Sequence, residues 1–253
     1  MERLVQIGQT ACLRFTPWEN IPQILQGVTL KGSRGAQEET FDLLSDRMRR
    51  AGFKVIQRLK QVHGARVVPI KPDSSEGAGR VSLISPLEAD GLVSCEEDTL
   101  GVITMADCVP LYLLDRNLHA WGLIHAGWRG VAAGVMSEGL RVMNESFGTP
   151  ADGVEIYLGP SICGSCYQVG PEVAALLEPG DYTLQDRPPK EKIFVDLRRL
   201  LADQARSHGV PAANIFTSRF CTRCHNDLFY SYRAEGEPAL GQMWGFMGKL
   251  GKK

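Results

Sequence analysis

Apolar positions recurring every three or four residues predict four helices in this chain. Over residues 38–51 they fall at Phe41, Leu44 and Met48, with Gly52 as a C-terminal stop. Residues 131–147 follow a glycine-bounded turn and end at Gly148. Residues 172–177 and 197–208 complete the set, the last closed by Gly209 and Pro211. Shorter runs rich in β-branched and aromatic residues predict strands over 65–70, 91–94, 100–105, 109–114, 120–125, 154–158 and 229–233. Two polar stretches, 69–86 and 178–192, read as surface loops. Apolar segments of similar character resume on both sides of each, so residues 1–253 read as a single domain. Strands and helices mix without strict βαβ alternation. The expected fold is therefore α+β, with mixed β-sheets flanked by helices. No GxGxxG follows a strand and no GxxxxGK[ST] occurs, which argues against a doubly wound nucleotide fold.

Composition narrows the class. A chain of 253 residues with 43% hydrophobic and 23% charged residues can bury a large core and is not a disordered one. Lys and Arg number 28 against 29 Asp and Glu, so nothing in the net charge of −1 calls for nucleic acid or an anionic membrane as partner. The opening MERLVQIGQTACLRF places Glu2, Arg3 and Gln6 where a signal peptide needs an apolar core. The most apolar stretch, 100–114, is interrupted by Asp107 and is too short for a membrane span. A cytoplasmic protein is expected. Seven cysteines, an odd number, do not suit a secreted disulfide scaffold. In a reducing compartment they are core fillers, ligands or nucleophiles.

Three segments place a metal-capable group beside an apolar run: Gln61-Val62-His63-Gly64, Ala106-Asp107-Cys108-Val109-Pro110 and His125-Ala126-Gly127-Trp128-Arg129-Gly130. Two imidazoles and a thiolate with one open position suit a catalytic zinc ion. Spacing alone favours the plainer reading, a buried cysteine and two hydrogen-bonded histidines. Forty-five positions separate His63 from Cys108 and seventeen separate Cys108 from His125, so nothing local forces convergence. The Gly127–Gly130 turn, between a strand and a helix, offers backbone N–H groups and the Arg129 guanidinium to a phosphate or carboxylate. A tight turn with a core Trp and a paired Arg explains it equally well.

Two cysteine patterns remain. Cys221-Thr222-Arg223-Cys224-His225 fits a haem-attachment motif, but no export signal accompanies it. Cys163/Cys166 and Cys221/Cys224 form two CxxC pairs, the elements of a four-cysteine zinc knuckle. Fifty-four residues lie between the pairs, far beyond a compact ribbon, so a second metal is the less favoured reading.

QVHGARV, EADGLVS, TMADCVPLYLLD, HAGWRGVAAGV, LGPSICGSCYQVG and CT…LFYSYR, in that order, resemble the laccase-domain family. The family is also called multicopper polyphenol oxidoreductase, and its members include proteins named purine nucleoside phosphorylase and peptidoglycan editing factor. The match runs from Gln61 to Arg233. The resemblance implies a single α+β domain and a zinc ion held by His63, Cys108 and His125. It implies phosphorolysis of adenosine, inosine, guanosine and methylthioadenosine, and deamination of adenosine, with purine nucleosides and phosphate as partners. It also admits copper-dependent phenol oxidation and editing of peptidoglycan precursors by amide hydrolysis, while a non-enzymatic metal-binding protein is a further alternative. Arg47 aligns with the family's Arg on its first helix, and Arg233 is a candidate for phosphate or ribose contacts. Asp107 and Asp90 are candidates for proton handling. Trp128, Tyr167, Phe229, Tyr230 and Tyr232 are candidates for a base-stacking wall. The chain departs from the pattern in LQGVTLKGSRGAQEE, where the family has an Arg before paired glycines, and at Gly241-Gln242, where it has Gly-Arg.

Metal identity sets the chemistry. Zinc polarises an oxygen or lowers the pKa of a bound water and has no redox role. Two His, one Cys and Met105 form a blue-copper-like set. A multicopper oxidase further needs a three-copper cluster built mainly from imidazoles, and this chain has five His.

Overall fold

Residues Val109–Asp115 read VPLYLLD, and all seven are buried. A strand with no solvent face needs a cover on each side, and the architecture supplies one. The computed structural model describes residues 2–8, 10–31, 41–70, 82–177, 193–236 and 243–251, with 82–86 described by backbone alone. In chain order the elements begin β1 (Glu2–Ile7), β2 (Thr10–Phe15), β3 (Ile24–Thr29), α1 (Phe41–Ala51), β4 (Val55–Lys60), β5 (Val67–Ile70), β6 (Ser82–Glu88) and β7 (Gly91–Ser94). They continue with β8 (Thr99–Met105), β9 (Val109–Asp115), β10 (Trp121–Ala126), α2 (Trp128–Ala132), α3 (Val135–Phe147) and β11 (Val154–Leu158). The last are β12 (Gln168–Val169), α4 (Pro171–Ala174), β13 (Ile193–Phe194), α5 (Leu197–Ser207), β14 (Ile215–Thr217), α6 (Tyr232–Glu235) and β15 (Met243–Lys249).

Two mixed sheets result, in the orders β1-β2-β3-β15-β8-β4-β6 and β14-β11-β9-β10-β7-β5. They pack face to face. Tyr112 of β9 donates its hydroxyl to the Gly27 carbonyl of β3 at 2.8 Å, and Phe15 of β2 stacks on Tyr157 of β11 with ring centroids 3.9 Å apart. Alternate side chains of β9 then divide the work. Tyr112 and Leu114 face the first sheet, while Leu111 and Leu113 join Val135, Leu140, Met143 and Leu201 under α3 and α5. On the far side, Leu44 and Met48 of α1 pack on Ile56, Val102, Trp244 and Phe246 of the first sheet. The layers are thus helix, sheet, sheet, helix, an α+β fold with mixed sheets flanked by helices.

Several sequence-predicted elements shift. Residues 131–147 are two helices: α2 starts earlier, at Trp128, and Gly134 (φ 82°) breaks the chain before α3. Residues 229–233 are not a strand. Phe229 is core, and Ser231 caps the single turn α6 through its side chain on the Ala234 N–H. The loop expected over 69–86 gives way to β6 from residue 82, its middle and the loop 178–192 lying outside the described residues. Strands β1 to β4, β6 and β12 to β15 have no counterpart among the strands the sequence predicts. Among the described residues, no helix is long and apolar enough to cross a membrane.

Candidate metal centre

Strand β4 runs parallel to β8, so their C-terminal ends lie side by side. The chain leaves β4 into Gln61-Val62-His63-Gly64 and leaves β8 into Asp107-Cys108. Gln61 ties the two exits together. Its amide donates to the Thr104 carbonyl at 2.8 Å and accepts from the Thr104 N–H at 2.7 Å. Cys108 directly precedes β9, whose first residue pairs with the last of β10 (Val109 with Ala126, Pro110 with His125). Sheet pairing thereby delivers His63, Cys108 and His125 to one point, and their ligand atoms all lie within 4.8 Å of one another. Ligand atoms on a zinc tetrahedron sit about 3.3–3.8 Å apart, so the donor set fits a small ion with minor adjustment.

Asp90, fully buried at the entrance to β7, organises this point. Its carboxylate accepts the backbone N–H groups of Val62 (3.3 Å), His63 (2.9 Å) and Gly64 (2.6 Å). The same carboxylate meets Nδ1 of His125 at 3.0 Å. His63 occupies the left-handed region at φ 58°, unusual for a non-glycine, and the three bonds to Asp90 hold it there. With Nδ1 engaged by a carboxylate, His125 keeps Nε2 for a metal, the carboxylate–histidine pairing that fixes ligand tautomers.

The electrostatics follow. Burial raises the Cys108 thiol pKa, but hydrogen bonds from His125 and His63 outweigh it and bring the thiol down to about 6. Burial lowers His125, yet Asp90 and Cys108 together hold it up at about 9. Burial also pushes Asp90 up, and the His125 and Gly64 hydrogen bonds bring it below the usual carboxylate range. The cluster thus favours a thiolate, the form a metal requires.

The two glycines of the HAGWRG turn have steric roles. A Cβ on Gly127 would lie 3.2 Å from Cys108 Sγ and 3.2 Å from His63 Cδ2, so any side chain there would intrude on the ligands. A Cβ on Gly130 would lie 2.6 Å from the Gly64 carbonyl oxygen. Because that neighbour is backbone, Gly130→Ala must push α2 away from the turn carrying His63. It is expected to lower the melting temperature by about 3–10 °C. Thermal unfolding checks this, and an unchanged transition would show that the turn yields freely.

Around the cluster, His63 is exposed and Cys108 half-buried, which leaves one side of the triad accessible. Arg129 is exposed and lies over the Trp128 ring at 4.2 Å. Arg233 lies 5.3 Å over the Tyr167 ring and donates to the Gln168 carbonyl at 2.8 Å. Its backbone N–H reaches Asp107 Oδ2 at 2.7 Å, while Thr222 donates to Asp107 Oδ1 at 2.6 Å. Asp107 is the second left-handed non-glycine here, at φ 79°. The structure therefore groups Cys108, Asp107, Arg233 and Tyr167 along one edge.

Other expected residues lie elsewhere. Arg47 stands on α1 at the β1–β2 turn, hydrogen-bonded to Thr10 and beside Gly8. Phe229 belongs to the inter-sheet core, Tyr230 lies under Lys31, and Tyr232 is exposed. Met105 is buried in the same core. All five histidines are described, and only His63 and His125 come together. His119 is exposed near Asp115, His208 closes α5, and His225 packs on Phe220.

Proteins of known name and structure match the chain over most of its length. A purine nucleoside phosphorylase, YlmD, of Geobacillus stearothermophilus is 31% identical over 195 residues, covering 75% of this chain and 70% of its own. An adenosine deaminase, RL5, from an unidentified prokaryote is 34% identical over 190 residues, covering 70% and 69%. The crystal structure of YlmD from Geobacillus stearothermophilus superposes with a TM-score of 0.82 at 24% identity, over 99% of this chain and 100% of that one, which establishes the shared fold. The family model described as multi-copper polyphenol oxidoreductase laccase matches residues 31–249, and the chain belongs to that family.

Proposed function

We propose that the chain is a cytoplasmic zinc-dependent purine nucleoside phosphorylase that also deaminates adenosine. The observation that carries the reading is the His63–Cys108–His125 triad, gathered at strand ends with one side accessible. The relatives named for these two activities support the substrate class. When bound, zinc supplies a Lewis acid for a phosphate oxygen or an activated water. His63, Cys108 and His125 are the residues to hold it. Asp90 orients two of the three ligands, by its bonds to the His63 backbone and the His125 ring. Arg129 and Arg233 are the proposed anion contacts, the first beside the Gly127–Gly130 turn. Trp128 and Tyr167 supply ring faces for a purine. Both oxygens of Asp107 already accept hydrogen bonds, so we assign it the positioning of Cys108 and Arg233 rather than proton transfer.

Zinc is preferred to copper because of what the remaining side chains do. The imidazoles needed for a three-copper cluster are dispersed, and Met105 is committed to the core. The experiment is a coupled one on protein purified without added metal. Zinc and copper per chain are measured, and the same sample is incubated with adenosine and inosine, with and without phosphate. Bound zinc with phosphate-dependent release of adenine or hypoxanthine is the expected result. Copper with oxygen consumption, or zinc with inert nucleosides, would overturn it.

A further inference from the structure

The two CxxC pairs, too distant in sequence to be read together, meet in space. The Sγ atoms of Cys163, Cys166, Cys221 and Cys224 all lie within 4.8 Å of one another, with Cys166 and Cys224 at 3.4 Å. The second sheet brings them there. Strands β11 and β14 run parallel, Leu158 beside Thr217, so the segments leaving them travel together. Ser161 bridges Cys221, and Thr222 N–H donates to the Ser161 carbonyl at 3.1 Å. Arg198 of α5 braces the second segment, donating to the carbonyls of Ser218 (2.8 Å) and Phe220 (3.0 Å).

The local geometry is that of metal-binding knuckles. Each Cys-x-x-Cys closes a tight turn, with Cys166 N–H on the Cys163 carbonyl (2.9 Å) and His225 N–H on the Cys221 carbonyl (3.0 Å). Two backbone N–H groups point at one sulfur: Cys163 at 3.3 Å and Cys224 at 3.5 Å from Cys221 Sγ. Such donors stabilise a thiolate. Gly164 is needed in the first turn, where a Cβ would lie 2.8 Å from Asp196 Cβ at the start of α5. Packing alone does not account for the cluster, since Cys224 is exposed and Cys163 and Cys166 are only half-buried. Four thiolates about 2.3 Å from a zinc ion form a tetrahedron with edges of about 3.8 Å, which the four sulfurs approach.

We infer that Cys163, Cys166, Cys221 and Cys224 bind a second, structural zinc ion in a closed tetrathiolate site, distinct from the triad at His63, Cys108 and His125. Soft, four-coordinate sulfur ligation selects zinc over magnesium or calcium. The ion clamps two loops that flank the candidate centre. Thr222, between its ligands, holds Asp107, and Tyr167, directly after Cys166, lies under Arg233. The inference does not depend on the nucleoside reading, because its evidence is the second set of ligands alone.

The test counts metal in four chains purified in reducing buffer without added zinc. The parent is expected to carry two zinc ions, Cys108→Ala one, and the pair Cys163→Ser with Cys224→Ser one. Cobalt loaded into Cys108→Ala should give the intense sulfur-to-cobalt charge-transfer absorption of a tetrathiolate. The double serine variant should melt about 10 °C lower than the parent. If it does not fold, Cys108→Ala still decides the matter through its metal count and cobalt spectrum. A single serine variant, Cys224→Ser, supplies the fourth chain and should release its zinc to a chelator faster than the parent does. Free titration of the Cys163, Cys166, Cys221 and Cys224 thiols in metal-free Cys108→Ala, a Cys166–Cys224 disulfide in the parent, or iron in place of zinc would each overturn the assignment.

Discussion

Cys108→Ala is expected to empty the candidate centre of metal and to remove the proposed phosphorolysis and deamination together, while leaving the fold intact. Cys108 is one of three ligands, and its thiol is drawn down to about 6 by His125 and His63, so it is poised as a thiolate. Apparent binding energies of about 10–16 kcal/mol over four ligands put each ligand near 2.5–4 kcal/mol, or roughly 10²–10³-fold in affinity. A site with two imidazoles and no thiolate then loses zinc to ordinary dialysis. The side chain is half-buried at the opening of β9, and alanine keeps the strand register that begins at Val109. Circular dichroism should therefore match the parent. The comparison to make is metal content against turnover in one preparation. Full activity in a metal-free variant would remove the centre from the reaction. Normal metal with no turnover would instead recast Cys108 as a nucleophile, the role that amide hydrolysis on a peptidoglycan precursor would ask of it.

The fold class was legible because the middle of the chain is regular. Gly91–Ser94 and Val154–Leu158 coincide with their sequence expectation, and β8, β9 and β10 differ by a residue at their ends. Those strands are mostly apolar and buried on both faces, apart from the half-buried Thr104 of β8 and Glu155 of β11. The first sheet was harder to see. In β15, Gly245 and Gly248 interrupt MWGFMGK because the chains on either side come close: a Cβ on Gly248 would lie 2.3 Å from the Thr99 carbonyl oxygen. In β1 the residues are half-buried or exposed, and ERLVQI carries no strong apolar signal. The 229–233 run was misleading because its aromatics serve different neighbours. Phe229 fills the core while Ser231 caps a helical turn.

The site was legible by residue type but not by arrangement. His63, Cys108 and His125 each end or begin an apolar run, which marks them as candidates. Their convergence depends on β4 and β8 running parallel and on the β9–β10 register, neither of which local sequence encodes. The cysteine pairs show the same dependence. Fifty-four intervening residues argued against a shared ion, yet the parallel pairing of β11 with β14 brings them together. Asp90 was visible within EADGLVS, as a candidate for proton handling. Its function as a common acceptor for three backbone groups and a ring emerges only when the QVHG turn folds over it.

Asp90→Asn should therefore weaken the candidate centre without touching a ligand atom. A buried carboxylate is an acceptor on every side, and here four donors use it: three backbone N–H groups and His125 Nδ1. An amide of the same size replaces one oxygen by NH2, which cannot accept and confronts at least one donor with another. If the amide nitrogen takes the Oδ1 position, it confronts both the His63 N–H and His125, whose ring proton moves to Nε2 so that the ring loses its metal-facing lone pair. If it takes the Oδ2 position, the Val62 and Gly64 N–H groups lose their acceptor and the left-handed conformation of His63 between them loses two of its three restraints. Either way the expected cost is about 10–100-fold in zinc affinity, the usual range for loss of a partner behind a ligand. Asp90→Ala removes the acceptor altogether and leaves buried N–H groups unpaired, at about 1–3 kcal/mol each, so it should also lower the melting temperature clearly. Competition with a chromophoric chelator reads the affinity, and thermal unfolding reads the fold. Zinc binding equal to the parent's in Asp90→Asn, with melting lowered only in Asp90→Ala, would make Asp90 a brace for the turn alone. A weakened site in a normally melting Asp90→Asn protein would show that orienting His63 and His125 is a task separate from holding the chain together.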